Sequence, residues 1–322
     1  MPGSQWKADP TLPGPHDIAC YLALKQGDLG GYLAAVQAAV DMVVGDQHPV
    51  SGFIGLKQLP SRLTGDMVQK VQARWPDAIR RNSAAIEGPP PETLKRPLVK
   101  DDGTDILISP PGSSGTTVIV FTGFADQAFA PIEVFDAFLA QQDAAAIFLR
   151  DSARNFFMPT DYIGVSDSNP FALRLRSELE RLGTRNLAVC GTSAGGAAAV
   201  FYGLMLGATR MVTFSGPTTG RPEDRALLGD TRAEILMKQI FARTPIEQLD
   251  LRPWLLKAAA GKFGVPLDLR MYFGADNAID RGHAERVADI PGVTVHPVAG
   301  FARHNVLQSA AVSGNLGVIL AG

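Results

Sequence analysis

The chain has 322 residues, 46% hydrophobic and 19% charged, with a formal net charge of −2. That length holds one large domain plus an extension, or two domains, with a sizeable core. Acids and bases are interspersed, which excludes the basic footprint of a nucleic-acid binder or an anionic-membrane binder. Only Cys20 and Cys190 occur, far apart and outside any metal-ligand spacing, so neither a disulfide framework nor a zinc site is expected. The first residues, Met1 to Lys7, have no apolar signal core, and no stretch reaches transmembrane length. A soluble, cytoplasmic protein is the expectation.

Residues 1–16 are rich in Pro and Gly and read as irregular. Asp17 can cap a helix through Ile18, Tyr21, Leu22 and Leu24. Gly27 and Asp28 interrupt it, and Leu29, Leu33, Val36, Val40 and Val43 resume at helical spacing. Residues 66–81 form a further amphipathic stretch, broken at Pro76. Gly88-Pro89-Pro90-Pro91 is the clearest linker signal, and a boundary is placed near residue 95. Residues 1–95 are thus expected to be a helical extension to a domain spanning 96–322.

Beyond the boundary the rhythm changes. Strand-like runs fall at Asp105–Ser109, Thr116–Thr122, Ala144–Leu149, Asn186–Cys190, Arg210–Ser215, Leu267–Phe273 and Val293–Val298. Helix-like stretches fall between most of them, at Ile132–Gln142, Pro170–Leu182, Ala194–Leu206 and Asp280–Ala288. Alternation of this kind predicts an α/β fold, a mostly parallel sheet with helices on both faces. The interval 217–266 has helical patterning and no evident strand. It is read as a cap insertion over the carboxyl edge of the sheet, where ligands bind in open α/β folds.

The densest signal is Gly191-Thr192-Ser193-Ala194-Gly195-Gly196, a G-x-S-x-G pattern between the strand-like run Asn186–Cys190 and an Ala-rich helix. A strand, a tight turn carrying one Ser among small residues, and a helix form the context of a nucleophile elbow. The turn exposes the hydroxyl and sets the Ala194 N–H at the positive end of the helix. Serine needs a base, and the base needs an acid to orient it.

Five histidines are candidates. His16 and His48 lie in the N-terminal region. His283 falls on a helix beside Glu285 and Arg286 and reads as part of a solvated face. His296 is inside the last strand. His304 follows that strand, in Gly300-Phe301-Ala302-Arg303-His304, and is the preferred base. The acid should follow the run Leu267–Phe273. Asp276 comes first off the strand end and is preferred; Asp280 is the alternate, with a helix cap as its competing role. The second oxyanion donor, beside Ala194, is assigned to the Phe124 N–H in Thr122-Gly123-Phe124-Ala125.

From about residue 100 onward the chain resembles the α/β-hydrolase superfamily. The matching pieces are Val118–Phe124, the elbow Gly191–Gly195, the acid region Phe273–Asp280 and His304. They run in the order Ser, Asp, His. The resemblance implies a mostly parallel eight-stranded sheet and hydrolysis of an ester, thioester or amide. Two departures leave the subfamily and the substrate open. Thr122-Gly123 stands where many members have His-Gly, and three residues separate Gly300 from His304.

The expected activity is a serine hydrolase cleaving a small-molecule carboxylic ester or thioester. No cofactor or metal is implied, and nothing indicates an oligomeric state. Two alternatives are acyl transfer by the same triad and a non-catalytic scaffold binding a protein or polysaccharide-assembly partner.

Overall fold

The computed structural model divides into two compact units, Met1–Ile86 and Glu87–Gly322. It describes residues 31, 34, 88–102, 104–123, 128, 132–151, 157, 169–232, 237, 250–302, 304, 306–312 and 314–321. In the first unit only Gly31 and Ala34 are described, both in helix and both within the stretch 17–43; the rest of that stretch and the whole of 66–81 lie outside the described residues.

The second unit is built on a sheet whose seven described strands all derive from runs legible in the sequence. They are β1 (Ile106–Ile108), β2 (Thr116–Phe121), β3 (Ala145–Leu149), β4 (Asn186–Thr192), β5 (Arg210–Phe214), β6 (Leu269–Gly274) and β7 (Val293–Val298). The order across the sheet is β1-β3-β2-β4-β5-β6-β7. β1 pairs antiparallel with β3, and every other pair is parallel. Parallel strands covered on both faces should read as continuous apolar runs. β2 and β3 do so: Val118 to Phe121 and Ala145 to Leu149 are all buried.

Eight α-helices are described in this unit. They are α1 (Ile132–Gln141), α2 (Pro170–Arg181), α3 (Ala194–Leu206), α4 (Pro222–Leu227), α5 (Leu251–Ala259), α6 (Ala278–Glu285), α7 (Leu307–Val312) and α8 (Leu316–Ala321). α2 starts where Asn169 accepts from the Phe171 and Ala172 N–H groups with Pro170 in its first turn. α3 carries no charged residue and is buried nearly all round, packing on β2, β4 and β5 with α2 and α5 against it. Gly207, at φ 71°, ends it in the left-handed conformation. One continuous core joins Phe121, Ile147, Val189, Tyr202, Met211, Leu255, Met271 and Val287 on the α3 side of the sheet. On the other side α8 packs on α1, β2, β4 and β5.

The chain runs from β2 out to β3 and then returns to place β4 on the opposite side of β2. The crevice at such a reversal, beyond the carboxyl ends of the strands, is where open α/β sheets bind ligands. β4 ends there, one residue before Ser193.

Three features correct or extend the sequence reading. His283 is fully buried rather than part of a solvated face, because α6 turns it toward Thr218 and Asp230. α7 and α8 lie beyond the last strand, in a segment the sequence reading left unassigned. In the interval 217–266, α5 packs against α3, with Leu255 fully buried and Trp254 edge-on to Phe201 at 6.0 Å. Ile235, Ile240 and Phe241 lie outside the described residues. Among the described residues no helix is long and apolar enough to cross a membrane.

Candidate active site

Ser193 links β4 to α3 with φ 51° and ψ −122°, a conformation that strains any residue with a Cβ. Its neighbours make that turn sterically achievable. A Cβ on Gly191 would strike the Gly195 carbonyl, and one on Gly195 would strike the carbonyls of Phe121 and Thr122. A Cβ on Gly196 would collide with the Gly216 backbone. The turn is pinned by the Ser193 N–H donating to Phe214 O at 2.9 Å and the Gly196 N–H donating to Ser193 O at 2.8 Å. The Ser193 hydroxyl does not cap α3.

That hydroxyl instead lies 2.8 Å from His304 Nε2. His304 Nδ1 lies 2.8 Å from Asp280 Oδ2 and 3.0 Å from Oδ1. An ionised carboxylate only accepts hydrogen bonds, so Nδ1 carries the proton and donates to Asp280. Nε2 is then an acceptor, and the Ser193 O–H donates to it. The Asp280 side chain is fully buried, whereas that of His304 is 31% exposed. Burial alone would raise the Asp280 carboxyl. The His304 charge and hydrogen bond, together with Arg232, outweigh it and hold the carboxyl below its ordinary value.

The acid that meets His304 is thus Asp280 and not the preferred Asp276. β6 ends at Gly274, and Asp276 sits exposed in the following turn, where its N–H donates to Phe301 O at 3.2 Å. Asn277 is the N-cap of α6, accepting from the Asp280 N–H at 3.0 Å. The cap role weighed for Asp280 therefore belongs to Asn277. Asp280, three positions into the first turn, is free to face inward toward the base.

Of the two residues expected to supply oxyanion donors, Ala194 is buried at the first position of α3. The first N–H groups of a helix have no intrahelical acceptor, and the dipole favours negative charge there. Phe124 lies outside the described residues. The segment leading to it is described. A Cβ built on Gly123 would lie 3.5 Å from Ser193 Cβ, so the chain leaving β2 passes directly beside the serine.

The other histidines fall elsewhere. His296, within β7, stacks on Tyr272 with ring centroids 4.6 Å apart. His16 and His48 lie outside the described residues. Cys190 is fully buried, and desolvation pushes its thiol far above the ordinary value, which leaves it inert. Among the described residues no group of three or more His, Cys, Asp or Glu side chains is placed to hold a metal.

The sequence reading missed Arg232. Its Nη1 donates to Asp280 Oδ1 at 2.6 Å and lies 3.0 Å from His304 Nδ1. Its partner Asp230 is two positions away, but nothing local ties it to the triad, since Asp280 and His304 stand 48 and 72 positions away.

No protein-family model matches the chain, and no curated protein matches its sequence. Solved structures do. The ester-hydrolase EH1AB1 from the metagenome of Lake Arreo, complexed with a derivative of bipyridine phosphonate, is 16% identical. The match covers 88% of this chain and 96% of that one, with a TM-score of 0.50. An esterase from the Planctomycetes species Thermogutta terrifontis is 17% identical over 70% of this chain and 93% of that one, with a TM-score of 0.44. At such identities the likeness is one of fold.

Proposed function

We propose that this chain, which has the α/β-hydrolase fold, is a serine hydrolase that cleaves a carboxylic ester or thioester of a small molecule through an acyl-enzyme on Ser193. The observation that carries the reading is the unbroken line from Ser193 Oγ through both nitrogens of His304 to the Asp280 carboxylate. A fold shared with an ester hydrolase supports it.

In this mechanism Ser193 Oγ attacks the substrate carbonyl carbon while His304 Nε2 takes the hydroxyl proton. Asp280 keeps the proton-bearing Nδ1 turned toward itself and stabilises the imidazolium that forms. The carbonyl oxygen becomes an oxyanion beside the Ala194 N–H, with Phe124 as the second donor. His304 then protonates the departing alkoxide or thiolate. In the second half, water loses a proton to Nε2 and attacks the acyl carbon. Collapse of that intermediate returns the proton to Ser193 and releases the acid.

The test is labelling with a fluorophosphonate probe beside turnover of acyl esters of increasing chain length. Ser193→Ala should lose labelling and lose turnover by about 10⁶-fold, the scale for removing a triad nucleophile. Its fold should persist, because the substitution removes only the hydroxyl oxygen and leaves in place the Cβ that the turn already carries. Near-normal turnover in pure Ser193→Ala protein would end the reading.

A further inference from the structure

The polar chain does not stop at Asp280. Besides its bond to Asp280, Arg232 donates Nε to Asp230 Oδ1 at 2.8 Å and Nη2 to Asp230 Oδ2 at 3.2 Å. The Asp230 side chain is 1% exposed and also pairs with Arg225 Nη1 at 3.1 Å. On its far side stands His283, whose Nε2 lies 3.1 Å from Asp230 Oδ2. The Thr218 N–H donates to His283 Nδ1 at 3.2 Å, so Nδ1 is the acceptor and the proton sits on Nε2, aimed at Asp230. Two His–Asp pairs, His304–Asp280 and His283–Asp230, are thus joined by one guanidinium.

The charges in this cluster balance. Arg225 and Arg232 match Asp230 and Asp280, and a His283 protonated on Nε2 alone is neutral. All three nitrogens of the Arg232 guanidinium are engaged by the two carboxylates. Its charge is therefore spent within the protein, which argues against a role in reading an anionic substrate. The planar fork fits the task, since a flexible ammonium cannot span two carboxylates in a fixed plane.

We propose that Arg232, anchored by Asp230, is a positioning residue of the triad, holding the Asp280 carboxylate in the plane that meets His304 Nδ1. The inference rests on the serine-hydrolase reading above. Ser193 from the elbow, Asp280 from α6 and Arg232 from the loop after α4 face His304. Asp230, Arg225 and His283 stand behind them. With Arg232 removed, Asp280 Oδ1 loses its fixed partner, the carboxylate can turn away from Nδ1, and Nε2 loses its alignment on the Ser193 hydroxyl.

The experiment measures kcat and KM for ester hydrolysis and the second-order rate of fluorophosphonate labelling, with the melting temperature, for the full chain and two variants. Arg232→Met removes the charge and keeps much of the stem. Its kcat and labelling rate should fall about 10-fold through loss of orientation, with KM unchanged. Arg232→Lys keeps the charge but not the fork, so its kcat should be reduced as well, again at unchanged KM. A purely structural Arg232 would lower the melting temperature of Arg232→Met and leave kcat of the folded fraction where it was. That result overturns the proposal. If Arg232→Met does not fold, Arg232→Lys decides: a full wild-type kcat overturns the positioning role, and a reduced kcat at unchanged KM and intact melting temperature supports it. A wild-type protein that is neither labelled nor active on any ester refutes the hydrolase reading itself, and the inference with it.

Discussion

Replacing Asp280 by Asn tests the acid with almost no change in volume. The Asp280 side chain is fully buried and accepts from His304 Nδ1 and from Arg232 Nη1. An amide offers one oxygen, not two, and adds a donor. With Arg232 holding the oxygen at the Oδ1 position, the amide NH2 faces His304 and must donate to Nδ1. The imidazole proton then moves to Nε2, which faces Ser193 as a donor and can no longer accept the hydroxyl proton. A wrong tautomer of this kind lowers kcat by about 10⁴-fold, or roughly 5–6 kcal/mol of transition-state stabilisation. Stability should fall too, but by less than the 3–5 kcal/mol typical of a broken buried pair, since Arg232 keeps Asp230 and is 34% exposed. The assay is steady-state ester hydrolysis with circular dichroism on Asp280→Asn and Asp276→Asn side by side. Asp276→Asn should stay within a few-fold of wild type, because the residue is exposed in a turn. Asp280→Asn within 10-fold of wild type, or a 10³-fold loss in Asp276→Asn, would refute the assignment.

Three further outcomes follow from the same structure. Burial lowers His283 from its ordinary 6.5 and outweighs the raising effect of Asp230, so the unfolded chain takes up a proton that the folded protein refuses. Stability conferred by that neutral His is present above about pH 6.5 and is lost as pH falls, at up to about 1.4 kcal/mol per pH unit. Thermal melts from pH 7.5 to 5 should show a flatter decline in His283→Gln. Leu255→Ala should cost about 2–5 kcal/mol, since the side chain is fully buried in the main core, while the chain-length profile of the folded enzyme stays fixed. A shifted profile would show that α5 reads the acyl chain. Ser193→Gly should be more stable than Ser193→Ala by about 1 kcal/mol, because glycine relieves the positive-φ strain at that turn. Equal denaturation midpoints would show that the turn stores no strain.

What the sequence by itself determined was local and periodic. Apolar runs placed β2 to β5 within a few residues, because a strand covered on both faces can hold little else, while β6 and β7 show alternation of buried and more exposed residues. The elbow was legible because its geometry restricts residue type at adjacent positions: Gly191 and Gly195 have no room for a Cβ, and both constraints act within five residues of Ser193. Where a choice depended on which way a side chain turned, the sequence left two answers. Asp276 and Asp280 both follow β6, and only the exit of the chain through Asn277 turns the second of them toward His304. His283 and Arg232 were misread or passed over for the same reason. The Asp280 and His304 that Arg232 meets, and the Asp230 that His283 meets, lie 48 to 72 positions away, and a buried ion pair leaves no periodic trace on either strand of sequence that forms it. Tertiary structure decided these contacts because burying a charge is tolerable only when a specific opposite charge is brought to meet it, and the packing of α6 against the loop after α4 supplies that partner.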